Sequence, residues 1–111
     1  MLNLFAAASL ALLQQLDQST VLAHGEVAEP CIAMQPGDRL EFDFKASASV
    51  DFNLHYHSDS GVDFPVDVKS VRSKEAVYTA PFEQTYCLMW TNRGSAKIEL
   101  QYHYRVSRPE S

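Results

Sequence analysis

Two histidines, His55 and His57, stand two residues apart in the stretch Val50-Asp51-Phe52-Asn53-Leu54-His55-Tyr56-His57, where large apolar and polar residues alternate. Side chains of a strand point alternately to opposite faces, so Phe52, Leu54 and Tyr56 share one face and Asn53, His55 and His57 the other. At roughly 6 to 7 Å between Cα atoms, two imidazoles on one face can share a metal ion. Met89 and His103 occupy the polar phase of their own predicted strands if Trp90 and Tyr102 face the core. Imidazole and thioether donors together favour copper over zinc. His24 adds a further donor: a chain cut after Ala23 begins with it, and its free amine and ring can chelate copper together. The 88 residues of 24–111 are few for a copper enzyme, which points to binding rather than oxidation.

The opposing reading of the same residues is that the polar sheet face, histidines included, meets a protein partner. A metal site needs imidazoles converging on one point, whereas an interface needs only a broad patch. Catalytic patterns are missing from the sequence: there is no glycine-rich phosphate loop, no serine nucleophile elbow and no His-Glu-x-x-His. Glu41, Asp43 and Glu99 lie on polar strand phases that solvate a sheet. The chain is therefore expected not to be an enzyme.

Seven to eight short strands have to position these side chains. Residues 26–34 form a strand interrupted by Pro30, and Leu40, Phe42 and Phe44 alternate with charged residues in the next. Residues 46–49, small and polar, connect to the histidine strand. Val62, Phe64, Val66 and Val68 alternate through a strand that Pro65 assigns to an edge or a bulge. Residues 70–75 read as a charged loop before a short strand at 76–79. Residues 85–91 and 98–106 alternate again, joined by the turn-forming Asn92-Arg93-Gly94-Ser95. No internal helix interrupts the pattern, so the expected fold is an all-β antiparallel sandwich of the jelly-roll type.

With 111 residues the chain fits one domain. Its net charge of −5, with nine scattered Lys and Arg, lacks the basic stripe that nucleic acid requires. The apolar run from Leu2 to Leu13, and the small residues Val21 and Ala23, predict a signal peptide over 1–23 and a domain over 24–111. The competing reading of 1–23 is a short amphipathic helix. The run is too short to span a membrane. Export would make the protein periplasmic or secreted, and its two cysteines, Cys31 and Cys87, one disulfide; in the cytosol they would be two buried thiols.

Four stretches also resemble the GOLD (Golgi dynamics) domain, in its bacterial extracytoplasmic form. They are Cys31 near the first strand, the strand entry Gly37-Asp38-Arg39-Leu40-Glu41-Phe42, the strand Phe52-Asn53-Leu54, and Tyr86-Cys87-Leu88-Met89-Trp90-Thr91-Asn92. The resemblance implies a small sandwich with a non-enzymatic interaction role and a Cys31–Cys87 disulfide. The coiled coil and membrane anchor that follow the domain in the secretory receptors are not found after it here, so cargo-receptor function is not carried over.

Overall fold

The computed structural model describes residues 17–109. Their seven strands are β1 (Gln18–Leu22), β2 (Val27–Ala28), β3 (Cys31–Met34), β4 (Arg39–Ser58), β5 (Gly61–Thr79), β6 (Gln84–Thr91) and β7 (Ile98–Ser107). Every pairing among them is antiparallel. As expected, the fold is all-β.

Two strands dominate: β4 has 20 residues and β5 has 19, far beyond the usual strand of five or six. They form one long hairpin that turns at Ser58-Asp59-Ser60-Gly61. A single apolar stripe, Leu40, Phe42, Phe44, Val50, Phe52 and Leu54, is buried along β4. All six positions are even-numbered, so one face of the strand is covered on both sides of residues 46–49. Covering one face of so long a ribbon is achieved by folding the ribbon over that face. The small residues Ala46, Ser47, Ala48 and Ser49 sit at the fold, where the β4–β5 register shifts between Lys45 and Val50. Residues 46–49 are thus part of a continuous strand and not the connection read from their composition.

The folded hairpin contributes to two layers. In the first, residues 39–46 of β4 pair with β7, which in turn pairs with β1. In the second, residues 51–55 pair with β6, which carries both β2 and β3 on its other edge. Aromatic rings lock the layers together: Phe52 lies 5.3 Å from Phe42 and 5.0 Å from Phe44, ring centre to ring centre. Trp90 of β6 stands edge-on to Phe44 at 5.5 Å and stacks on Tyr102 of β7 at 4.5 Å. Its Nε1 is buried and has no acceptor among the described residues. Tyr56, Tyr78, Phe82 and Tyr86 form a second aromatic group, with Tyr86 donating to the Phe82 carbonyl at 2.8 Å.

Strand β5 is the outer strand beside both halves of β4. This agrees with the edge position that Pro65 predicts. The charged stretch 70–75 belongs to the strand rather than to a loop: Val71, Ser73, Lys74 and Glu75 pair with Val50, Lys45, Phe44 and Asp43. Its polarity reflects an exposed edge, where Lys69, Arg72 and Lys74 discourage pairing with another chain. Ser70 takes a left-handed φ of 53°, and its N–H donates to Asp51 Oδ1 at 3.0 Å. Residues 27–34 form two short strands, β2 and β3, separated at Glu29-Pro30 as the proline predicts.

Strand β1 is the main surprise, since residues 18–22 fall inside the expected leader. Gln18–Leu22 pairs with Ile98 to Tyr102 over five residues, and Leu22 is buried. The short helix considered for 1–23 does not extend to 18–22, and residues 1–16 lie outside the described residues. A cut after Ala23 would remove an edge strand. It would also break a buried network around Asn92, whose Nδ2 donates to the carbonyls of Leu22 and Ala96 at 2.9 Å each. Asn92 Oδ1 accepts from Gly94 N at 2.9 Å, and its main chain bonds Gly25 and Glu26.

Asp38 does comparable work at another turn. It accepts from Gln35 N at 2.9 Å and from Arg108 Nε and Nη2 at 3.0 and 3.1 Å, which ties the chain after β7 to the turn before β4. The disulfide between Cys31 and Cys87 closes a separation of 56 residues between β3 and β6. On the chain-entropy model a loop of this size stabilises by about 4 kcal/mol.

Two outcomes follow from these ties. Asn92→Ala removes three hydrogen bonds, to the Leu22 and Ala96 carbonyls and from the Gly94 N–H, and we expect it to cost about 1–3 kcal/mol, read as a fall in melting temperature of several degrees. An unchanged melting temperature would refute the role of Asn92. The hydrogen bonds from Arg108, then that from Gln35, hold the Asp38 carboxyl below its ordinary value. A carboxyl whose folded pKa is depressed contributes stability above its unfolded value of about 3.9 and loses it as pH falls through the folded value. Arg108→Met should therefore lose less stability than wild type between pH 5 and pH 3, as denaturant unfolding at stepped pH would show. Parallel pH profiles would exclude this linkage.

Candidate functional site

The outer face of the second layer brings β3, β6, β4 and β5 side by side. Antiparallel register sets Cys31 opposite Cys87 and Cys87 opposite His55. On the far side of β4 the register with β5 shifts between Leu54 and Tyr56, so Phe64 and Pro65 together face His55. The result is a transverse row of disulfide, His55 and Phe64. The next row holds Met89, Asn53 and Asp67.

This register shift corrects one expectation. Val62 and Phe64 were to share the apolar face of Val66 and Val68. The extra residue at the bulge turns them outward, leaving Val62 41% and Phe64 50% exposed. Val66 and Val68 stay inward, packed on the core.

His55 is only 4% exposed, although it lies on the polar phase of β4. Its Nδ1 lies 2.7 Å from Asn53 Oδ1 and its Nε2 3.1 Å from Glu29 Oε2. Both ring nitrogens thus face oxygens of neighbouring side chains. The ring of His57 stands edge-on to His55 at 5.4 Å, and that of Phe64 is 5.8 Å from His55. His55, His57, Phe64, Met89, Glu29 and Arg93 line an open hollow of about 450 Å³. At its edge Arg93 Nε donates to Asp51 at 2.9 Å. Burial pushes the Asp51 carboxyl up, but the Ser70 N–H and Arg93 outweigh it and hold the carboxyl below its usual value.

Of the five side chains expected to ligate copper, His55, His57 and Met89 surround one hollow. His103 is elsewhere. It pairs with Asp43 on the outer face of the first layer, its Nδ1 3.3 Å from Asp43 Oδ2, because β7 runs beside the first half of β4 and β6 beside the second. There it shares a second hollow with Glu41 and Arg105, which are joined at 2.7 Å. The Arg105 guanidinium holds the Glu41 carboxyl below its ordinary value. His24 lies at the turn after β1, where its Nδ1 is 2.7 Å from the Gly94 carbonyl oxygen. The five therefore do not converge on one point. Physically, β7 pairs with the first half of β4 and β6 with the second, so His103, opposite Asp43, stands twelve strand positions away from His55.

Sequence reading missed Glu29, Phe64 and Arg93. Asn53 was legible, being in phase with His55 and His57. Glu29 had a weaker signal: it precedes Pro30, which directs it into an extended corner beside Cys31. Arg93 had none beyond its place in a turn.

No protein-family model matches the sequence, and no curated protein matches it. Solved structures do resemble the fold. The periplasmic lysozyme inhibitor of g-type lysozyme, PliG, from Salmonella Typhimurium aligns with a TM-score of 0.60 and 16% identity, over 85% of this chain and 88% of its own. PliG from Aeromonas hydrophila aligns with a TM-score of 0.60 and 9% identity, over 85% and 87%. The Yersinia pseudotuberculosis-derived mitogen aligns at 0.58 and 10% identity, over 87% and 89%. At these identities the likeness establishes the architecture, and this chain has the small antiparallel β fold that those proteins share.

Proposed function

We propose that the protein is an exported, non-catalytic binding module that docks a protein partner on the outer face of its second layer. The observation that carries this reading is Phe64, half exposed on a sheet face beside Val62, His57 and Met89. An exposed aromatic ring ringed by charges of both signs, here Glu29, Asp67, Lys69 and Arg93, has the anatomy of an interface with an apolar anchor and a polar rim. The disulfide and the register across four strands hold that face rigid, which lowers the entropy lost on docking. The interaction role implied by the GOLD-like stretches belongs to the same reading, and the disulfide supports a periplasmic or secreted location.

Copper is the second reading, favoured by the adjacency of His55 and His57 rings with Met89 in the same hollow. Against it, Asn53 and Glu29 already engage both nitrogens of His55.

A photo-crosslinking residue placed at Phe64, with Val77 on the outer face of the first layer as control, separates these readings in the native compartment. Adducts to another protein from position 64 and not from 77 are expected. Equal labelling, or none at 64, would reject the docking face. Copper binding tightened at least tenfold by His57 over a His57→Ala variant would put the metal reading first. Because the PliG structures share the fold, g-type lysozyme is the first purified partner to try, with Phe64→Asp expected to weaken any binding about 100-fold.

Export also sets the mature start. Since β1 completes the first layer, cleavage upstream of Gln18 leaves the fold intact where cleavage after Ala23 does not. N-terminal sequencing of exported protein should find a start before Gln18, and a start at His24 would disprove it.

A further inference from the structure

Beside the buried His55 lies a cluster whose ligand chemistry neither reading above uses. A Glu29 carboxylate oxygen and the sulfurs of Cys31 and Cys87 lie within 4.8 Å of one another. His55 Nε2 is 3.1 Å from Glu29 Oε2; it stands outside that 4.8 Å grouping and adjoins it through Glu29. Two thiolates, one imidazole and one carboxylate make a full tetrahedral donor set for zinc. The geometry points to a metal site that the disulfide keeps closed: on reduction, Cys31, Cys87, Glu29 and His55 bind one Zn²⁺.

Several distances fit. In a tetrahedron with bonds of 2.0–2.1 Å, nitrogen and oxygen ligands stand about 3.3 Å apart, near the 3.1 Å between His55 and Glu29. Zinc bonds of about 2.3 Å to sulfur require two thiolates about 3.8 Å apart. Cysteines on directly opposed strand positions, with Cα atoms 4.0 Å apart, reach that separation by side-chain rotation once the bond is broken. Cys31 and Glu29 are exposed and can move, whereas Cys87 and His55 are held by buried strands. Asn53 Oδ1 accepts from His55 Nδ1 at 2.7 Å, the outer contact that orients a metal-binding imidazole with Nε2 toward the ion.

The opening step balances with a dithiol reductant. One reductant thiolate attacks the exposed Cys31 sulfur and releases Cys87 as thiolate, leaving a mixed disulfide. The second reductant thiol attacks that bond, frees Cys31, and leaves as a cyclic disulfide, so two electrons pass from reductant to protein. Zinc then displaces the protons of the two thiols and binds the free Nε2 of His55, whose Nδ1 keeps its hydrogen bond to Asn53. Soft thiolates make zinc a better fit than the hard cations magnesium or calcium. The inference stands apart from the docking reading, since it concerns ligands at the margin of the hollow and holds whether or not a partner binds Phe64.

The test uses the full exported chain, oxidised or reduced with a non-chelating phosphine, titrated with Zn²⁺ against a competing chromophoric chelator. Wild-type reduced protein should take up one equivalent, and the oxidised protein should bind at least 100-fold more weakly. Glu29→Gln and His55→Ala, both of which retain the cysteines, should each weaken the reduced site at least tenfold. Co²⁺ should give thiolate-to-cobalt absorption in the reduced wild type with the intensity of a tetrahedral site. Thermal melts serve as the second readout: zinc should raise the melting transition of reduced wild type, or restore it if reduction abolishes it, and should do neither in His55→Ala. Equal affinity in wild type and the two ligand variants would overturn the proposal, because it would leave only an unstructured thiol pair. Equal binding by oxidised and reduced protein would overturn it too.

Discussion

Burial of one continuous apolar stripe on β4 is the constraint from which the rest of the molecule follows. Leu40, Phe42, Phe44, Val50, Phe52 and Leu54 all lie on one face of a 20-residue strand. A flat ribbon of that length cannot shield such a face from water by itself, and folding it over at the small residues 46–49 lets its two halves cover each other. Phe52 against Phe42 and Phe44 is the direct contact of one half with the other. β7 then extends one half, β6 the other, and Trp90 closes the seam between them.

That constraint also decides which polar residues can meet. Odd-numbered positions of β4 all point outward, so Asp43 and His55 are in phase along the strand, yet the bend places them on the outer faces of different layers. Chemistry on the two faces is consequently separate: an Asp43-His103 and Glu41-Arg105 set on one, and the His55 row with the disulfide on the other. His55 differs from an ordinary outward histidine because it is covered by its neighbours and held at both nitrogens.

The period-two alternation made most strands legible, including the phase of Phe52, Leu54, Trp90 and Leu100, because burial on one face leaves that signature in residue type. Pro65 marked the edge strand for a similar reason: it cannot donate to a second neighbour. Composition misled where exposure imitates a loop, as at 70–75, and where small residues mark a bend within a strand, as at 46–49. Phe64 could not be placed from pattern alone, since one extra residue in a bulge reverses the face of everything before it. Four of the five metal-ligand candidates, His24 aside, shared a phase but not a location, and location is set by which strand lies beside which half of β4. β1 was hidden because its apolar residues continue the pattern of a leader. The disulfide, implied by the resemblance to GOLD domains, is present as a direct cross-strand pair.

The pairing of β1 with β7 has a consequence for when the molecule can form during its synthesis. Gln18 lies opposite Tyr102, so the first described strand finds its neighbour only after nearly the whole chain has been made. Until β7 arrives, the first layer has no inner strand between β1 and β4, and what emerges from the ribosome is a ribbon with half its apolar stripe uncovered. Completion of the first layer is therefore a late event. In a chain with this order of assembly, the half of β4 that carries Leu40, Phe42 and Phe44 gains its β7 neighbour last.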